Sequence, residues 1–262
     1  MRKQIEPDSL ARDARFNRIT LADRFEDPRL TGEERKLVHD ADDVADRACR
    51  AMHGIFVGEI QALEGAGRTA FDYESPSEVP FQLKLDMARQ CWDEARHVEI
   101  SIKLGEHMGG EIGEYGESTF LFQAACHADP LFRLAGVNRA LEGLAIDVFT
   151  SMRDFAESMG DPVLWFCEDW MLADEVTHVK MGSRWLREVT EDDPDRRKRA
   201  LEFQRTVDGL FNFRGARSED ADAAIRLARK FREMAGFSSQ EIDAIAAMAD
   251  ADRAPEAAAA AY

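Results

Sequence analysis

The sequence predicts an all-α protein: a bundle of four long helices with additional helices on its N- and C-terminal sides. Three observations carry this. Apolar residues recur at helical spacing through four long stretches, roughly 31–72, 81–108, 131–159 and 162–189. No stretch shows the alternation of a half-buried strand or the strand–helix alternation of an α/β fold. The two halves of the bundle also repeat one another, because Asp93-Glu94-Ala95-Arg96-His97 returns as Asp174-Glu175-Val176-Thr177-His178.

In chain order, residues 1–44 form a charged arm with a short amphipathic piece, Leu10–Phe25, closed by Asp27-Pro28. Thr31 and Glu34 make a capping box for the first long helix. Its middle, Ile55 to Leu63, is apolar around one carboxylate, Glu59. Ser75-Pro76 to Pro80 breaks the chain, and the second helix runs to Gly109-Gly110. An acidic loop and a short helix at 120–128 lead to Asp129-Pro130, which starts the third long helix, closed by Gly160. Asp161-Pro162 starts the fourth as a capping residue followed by proline at the first helical position. The bundle thus covers residues 45–190, and 191–252 form a helical extension. There Pro194–Phe211 is one helix, Ser218 N-caps a second that reaches Met234, and Ser238 with Glu241 caps a third. The alanine-rich 253–262 is expected to be a disordered tail.

A chain of 262 residues can bury a substantial core, and a net charge of −17 repels a phosphate backbone, so no nucleic-acid partner is expected. The four cysteines, Cys49, Cys91, Cys126 and Cys167, contain no Cys-x-x-Cys pair, which argues against a zinc ribbon, a rubredoxin-like iron site or a thioredoxin-type motif. All four fall in predicted helices and read as buried free thiols. No apolar run approaches the ~20 residues of a membrane helix, and residues 1–7 lack the apolar core of a signal peptide. The expected location is the cytoplasm, without membrane association.

The repeated motif carries the chemistry. Residues three apart share a helix face, so Glu94 with His97, and Glu175 with His178, each present a carboxylate and an imidazole to one point. Glu59 lies 35 residues before Glu94, and Glu142 lies 33 before Glu175. Four carboxylates and two imidazoles from four helices form the ligand set of a two-metal carboxylate site, with iron or manganese as the cations. The competing explanation is solvated helix charge at chance spacing. Of six histidines, however, only His97 and His178 follow a glutamate by three, and both also follow Asp-Glu. Asp93 and Asp174 are the expected acceptors for the ring N–H groups of the two histidines, each across the pair. Glu64 and Asp147 are alternative ligands at acceptable spacing. His127 reads as a satisfied helix-end histidine, and Trp165, Phe166, Trp170 and Trp185 as bundle core.

With those residues in place, the chain resembles the ferritin-like di-iron carboxylate superfamily over roughly residues 45–190. Glu59, Asp93-Glu94-x-x-His97, Glu142 and Asp174-Glu175-x-x-His178 match its paired signature in order and spacing. The Asp-Glu-x-Arg-His form at 93–97 is similar to that of bacterial multicomponent monooxygenases and arylamine N-oxygenases. Glu59 to Glu64, Phe211-Asn212-Phe213 and Ala235-Gly236-Phe237 are similar to an uncharacterised bacterial ferritin-like family. The resemblance implies oxygen or peroxide chemistry at two metals. The expected function is a di-iron oxygenase or oxidase that uses dioxygen to hydroxylate, N-oxygenate or desaturate a small organic substrate. Its electrons would come from a separate reductase or ferredoxin, and a homodimer is one assembly open to it. The alternatives are an iron- or peroxide-handling protein (ferroxidase, peroxidase or manganese catalase), a tRNA-nucleoside hydroxylase, and a helical interaction protein with a vestigial site.

Overall fold

The computed structural model describes residues 44–248, apart from 76, 116–118, 214–215 and 221–222. The expected arm with Leu10–Phe25, the Thr31–Glu34 capping box and the tail at 253–262 lie outside the described residues. What is described is predominantly helical. The elements are α1 (Val44–Asp72), α2 (Phe81–His107), α3 (Phe120–Ala125), α4 (Pro130–Ala135), a π-helical segment (Gly136–Leu141), α5 (Glu142–Met159), α6 (Pro162–Glu188), α7 (Pro194–Leu210) and α8 (Arg229–Met234). A last helix, α9, covers 239–248. No described helix is long and apolar enough to cross a membrane, and the four cysteines are free thiols, Cys49 and Cys126 buried as expected but Cys91 and Cys167 only partly so.

The chain forms two compact units, Met1–Val57 with Val98–Thr119, and Gly58–His97 with Phe120–Tyr262. In the smaller unit His53 accepts a hydrogen bond from the Gly113 N–H at 3.2 Å and packs edge-on against Phe56 and Tyr115. The larger unit holds every residue of the repeated motif.

Within the larger unit, helix starts follow one device. Asp129, Asp161 and Asp193 each accept backbone N–H bonds of the first turn, and each is followed by proline, whose missing N–H costs nothing there. Gly160 closes α5 at φ +68°, a left-handed conformation that a side chain would strain. Helix directions follow from the contacts. The Cys91 thiol meets the Leu63 carbonyl at 3.7 Å, and His97 meets Glu59 at 3.3 Å, so α1 and α2 are antiparallel. Arg133 donates to Thr69 at 3.1 Å while Val137 packs on Gly65, so α1 also runs against the α4–π–α5 helix. Arg153 pairs with Asp169 at 2.9 Å, and Trp185 donates to Asp86 at 2.8 Å, which makes α6 antiparallel to both α5 and α2. One apolar cluster, around Leu83, Met87, Leu131, Leu134 and Trp185, packs one end of these helices. Another, around Ala125, Val137, Leu144 and Val207, seats α3 and α7 on the π segment.

Three expectations are corrected. Trp185 is core at 1% exposure, but Trp165, Phe166 and Trp170 are 40%, 63% and 40% exposed. The inward stripe of α6 is Leu164, Glu168, Met171, Glu175, His178 and Gly182, and the three aromatics fall outside it. Ser218 does not cap a helix reaching Met234. Arg217–Ser218 instead pairs in parallel with Ile225–Arg226, a two-residue strand pair that the sequence pattern did not reveal, and helix resumes only at Arg229. The third concerns Asp147, whose carboxylate is the reason for the second. It accepts from Arg217 Nε at 2.7 Å, from Arg232 Nε at 2.9 Å and Nη2 at 2.7 Å, and from the Ala228 N–H at 2.9 Å. Asp147 is therefore the buried anchor of the C-terminal region, not a metal ligand. Drawing Arg217 into this core holds the chain extended where local propensity favours a helix start. The Ser238–Glu241 capping box forms as expected, with Glu241 accepting from the Ser238 N–H at 2.8 Å.

Burial alone would raise the Asp147 carboxyl, but Arg232 and Arg217 hold it below the usual carboxylate range. A group whose pKa is lower folded than unfolded adds stability above its unfolded value of about 4, and that stability is lost as pH falls through the folded value. Asp147→Asn leaves two buried guanidinium groups without their main anion. It should cost about 3–5 kcal/mol in denaturant unfolding and remove part of the protein's acid-dependent loss of stability.

Candidate metal centre

Each candidate ligand stands on the inward stripe of its helix. Glu59 lies between Phe56 and Ala62 on α1, and Glu94 and His97 lie between Met87 and Ser101 on α2. Glu142 opens α5 directly after the π segment, and Glu175 and His178 share the α6 stripe. All six are buried, from 0% to 5% exposed. They come together in two overlapping groups: Glu59, Glu94, His97 and Glu175, and Glu94, Glu142, Glu175 and His178. Within each group, ligand atoms lie within 4.8 Å of one another. Glu94 and Glu175 belong to both.

The two histidines are held crosswise. His97 Nε2 lies 3.3 Å from Asp174 Oδ2, and His178 Nε2 lies 3.4 Å from Asp93 Oδ2. Donation of each Nε2–H to a carboxylate turns Nδ1 toward the glutamates. His97 Nδ1 is 3.1 Å from Glu175 and 3.3 Å from Glu94, and His178 Nδ1 is 3.1 Å from Glu94. Arg96 donates to both Asp93 and Asp174, tying the two aspartates together, and lies over the Trp170 ring at 5.0 Å. Asp174 is 17% exposed and Arg96 29% by side chain, so this edge of the cluster is reached by solvent.

The electrostatics are those of a cluster short of positive charge. Among the described residues, the ion pairs of the four glutamates are all with His97 and His178. Burial pushes Glu59 well above the usual carboxylate range, and for Glu142 burial and the neighbouring Glu94 and Glu175 do the same. Burial would raise Glu94 too, but the His178 and His97 imidazoles hold it well below. The histidines move upward despite their burial, because carboxylates surround them. Glu94 Oε2, both Glu175 oxygens and His178 Nδ1 are buried with no hydrogen-bond partner. A buried carboxylate without a partner costs several kcal/mol unless a cation or proton neutralises it. Two divalent cations would neutralise four carboxylates, and carboxylate with imidazole is the donor set that iron and manganese accept. The residues fit such a pair.

The family model described as Protein of unknown function (DUF455) matches residues 5–243. The chain belongs to that family. No curated protein and no solved structure matches it. The matched range of this DUF455 member takes in both histidine motifs, both lone glutamates and the arginines that hold Asp147. Glu64, the other alternative ligand, is half-buried and stands outside both groups. His127 accepts from the Asp129 N–H at 2.9 Å and stacks on Phe132, a satisfied histidine at a helix end.

Three residues near the cluster escaped the sequence reading. Gln90 donates to Glu142 at 2.7 Å and to Glu94 at 3.2 Å, and Asn138 donates to the Gln90 carbonyl oxygen at 2.5 Å. Glu168 is fully buried on α6 with neither oxygen partnered, and burial pushes it well above the usual range. Its signal was available, since it stands seven residues before Glu175 and so shares its stripe. Asn138 had none, because it depends on the π segment. There the α6 backbone comes so close that a methyl on Gly182 would overlap Asn138.

Two outcomes are expected. Asp174→Asn replaces the acceptor of His97 Nε2 with a group that can donate; metal affinity measured by competition with a chelator should fall about 10- to 100-fold, with the fold kept. Ligation needs neutral imidazoles and ionised carboxylates, whereas His97, His178, Glu59 and Glu142 all hold protons above their ordinary range. Metal uptake therefore releases protons, and calorimetric titrations should show affinity rising from mildly acidic to mildly alkaline pH.

Proposed function

We propose that this protein is a non-haem di-iron oxidoreductase that uses dioxygen to oxidise a small organic substrate. The observation that carries the reading is the sharing of Glu94 and Glu175 between two buried Glu/His groups. Two such groups with common carboxylates are what a pair of bridged cations requires. The helix directions support a ferritin-like four-helix bundle around it. The helix α1 runs one way, α2 and the α4–π–α5 helix the other, and α6 runs with α1, an order that needs the long connection between α2 and α4.

Glu59 with His97 would hold one cation, Glu142 with His178 the other, and Glu94 and Glu175 would serve both. Two ferrous ions bound there would supply the electrons that reduce dioxygen. Asp174 and Asp93 hold the histidine rings with Nδ1 toward the cluster, and Arg96 fixes both aspartates. The inward stripes of the helices keep bulk water from the carboxylates, and the Arg96–Asp174 edge is the side from which protons would arrive. With four free thiols and no Cys-x-x-Cys pair, the electrons to restore the ferrous state would come from an external reductase or ferredoxin.

The test is metal content of freshly purified protein by mass spectrometry, beside a Glu94→Ala, Glu175→Ala double variant. Two iron ions per chain in the parent and none in the variant are expected. Manganese alone would turn the reading to catalase-type chemistry, and failure to take up Fe(II) anaerobically would overturn it.

A further inference from the structure

The six ligands repeat with the pseudo-symmetry of the two motifs, but what surrounds them does not. In the repeat Glu94 corresponds to Glu175, and Gln90 therefore to Met171. Glu142 corresponds to Glu59, and Asn138 therefore to Ile55. One half of the cluster thus has a buried amide pair where the other half's sequence has two side chains that cannot donate a hydrogen bond.

The amide pair has a defined direction. Asn138 Nδ2 donates to Gln90 Oε1 at 2.5 Å, so the Gln90 amide must turn its Nε2 hydrogens the other way. Those hydrogens meet Glu142 Oε1 at 2.7 Å and Glu94 Oε1 at 3.2 Å. Both amides are 0% exposed, so water does not compete for these bonds. Glu94 Oε2 accepts no hydrogen bond and faces His97 Nδ1 at 3.3 Å. Both histidines face glutamates through Nδ1, His97 at 3.3 Å from Glu59 Oε2 and His178 at 3.1 Å from Glu94 Oε1, so the difference between the halves lies in the amide pair.

We propose that the two halves of this site are unequal cation sites, and that the Gln90–Asn138 pair makes the half formed by Glu94, Glu142 and His178 fill first. The inference rests on the two-metal reading of the cluster and adds the order of filling. The amide holds two carboxylates in place, so less ordering remains to be done when a cation arrives. In the other half the corresponding positions hold Met171 and Ile55, which have no hydrogen to donate to a carboxylate. Gln90 and Asn138 are positioning residues, since they touch the ligands and not the cation.

The experiment is a titration of metal-free protein with Mn(II), reading free Mn(II) by electron paramagnetic resonance. The wild type should bind two ions in two steps, with dissociation constants about tenfold apart or more, the scale of one hydrogen bond to a charged group. Gln90→Met, which copies the other half, should bring the constants within about threefold of each other. Asn138→Leu leaves Gln90 in place but unanchored and should weaken the first step without moving the second, and thermal melts establish that each variant is folded. Glu142→Gln should weaken the first step and Glu59→Gln only the second. Two equal ions in the wild type, two separated steps surviving in Gln90→Met, or loss of the first step in Glu59→Gln would each overturn the order of filling while leaving the two-metal reading intact. No bound Mn(II) or Fe(II) at all would remove that reading, and this inference with it.

Discussion

Four buried glutamates whose ion-pair partners among the described residues are two imidazoles form the constraint on which the centre of this structure depends. Their mutual repulsion in a low-dielectric interior has to be met by protons, by cations, or by both. Burial drives Glu59 and Glu142 toward the protonated form, while the two histidines hold Glu94 toward the ionised one. Cations bound among these groups would displace such protons. A cluster so arranged favours a bound cation, and several of its oxygens accept no hydrogen bond.

A second buried charge network does a different job. Asp147, Arg217 and Arg232 are all fully buried, and their bonds join α5 to the chain beyond α7. Here both oxygens of the carboxylate are taken by guanidinium and backbone N–H groups, and Asp208 adds a second anion 3.6 Å from Arg217. The two clusters stand on the same helix, five residues apart at Glu142 and Asp147, and differ in the sign of their surplus. Asp147 faces two guanidinium groups that meet its charge, whereas the glutamates outnumber the two imidazoles beside them.

The π segment connects the fold to the site. Its wider turn sits directly before Glu142, and Gly136 within it packs so tightly against Phe203 and the Ala125 carbonyl that a side chain there would have to displace them. On its other side Asn138 meets the α6 backbone at Gly182 and the Gln90 amide. Short π segments are common at functional sites because they re-aim side chains that a regular helix would turn elsewhere. In this protein Asn138 lies in that segment and bonds the Gln90 amide that reaches Glu142 and Glu94.

The sequence by itself determined the helical class and most helix ends, because Asp-Pro starts and glycine stops act through local backbone chemistry that needs no tertiary partner. It also determined which six side chains meet, since Glu-x-x-His on a helix fixes a shared face and the repeat supplies that face twice. Only the tertiary structure decided what depends on partners distant in the chain. Asp147 looked like a ligand until Arg217 and Arg232, 70 and 85 residues away, took its oxygens. Ser218 looked like a helix cap until that same contact held its neighbour extended. The outward turn of Trp165, Phe166 and Trp170, the π segment and the Gln90–Asn138 pair likewise follow from how helices seat on one another. No window of sequence encodes that seating, because the energy that sets it comes from contacts between helices and not from the propensities of any one.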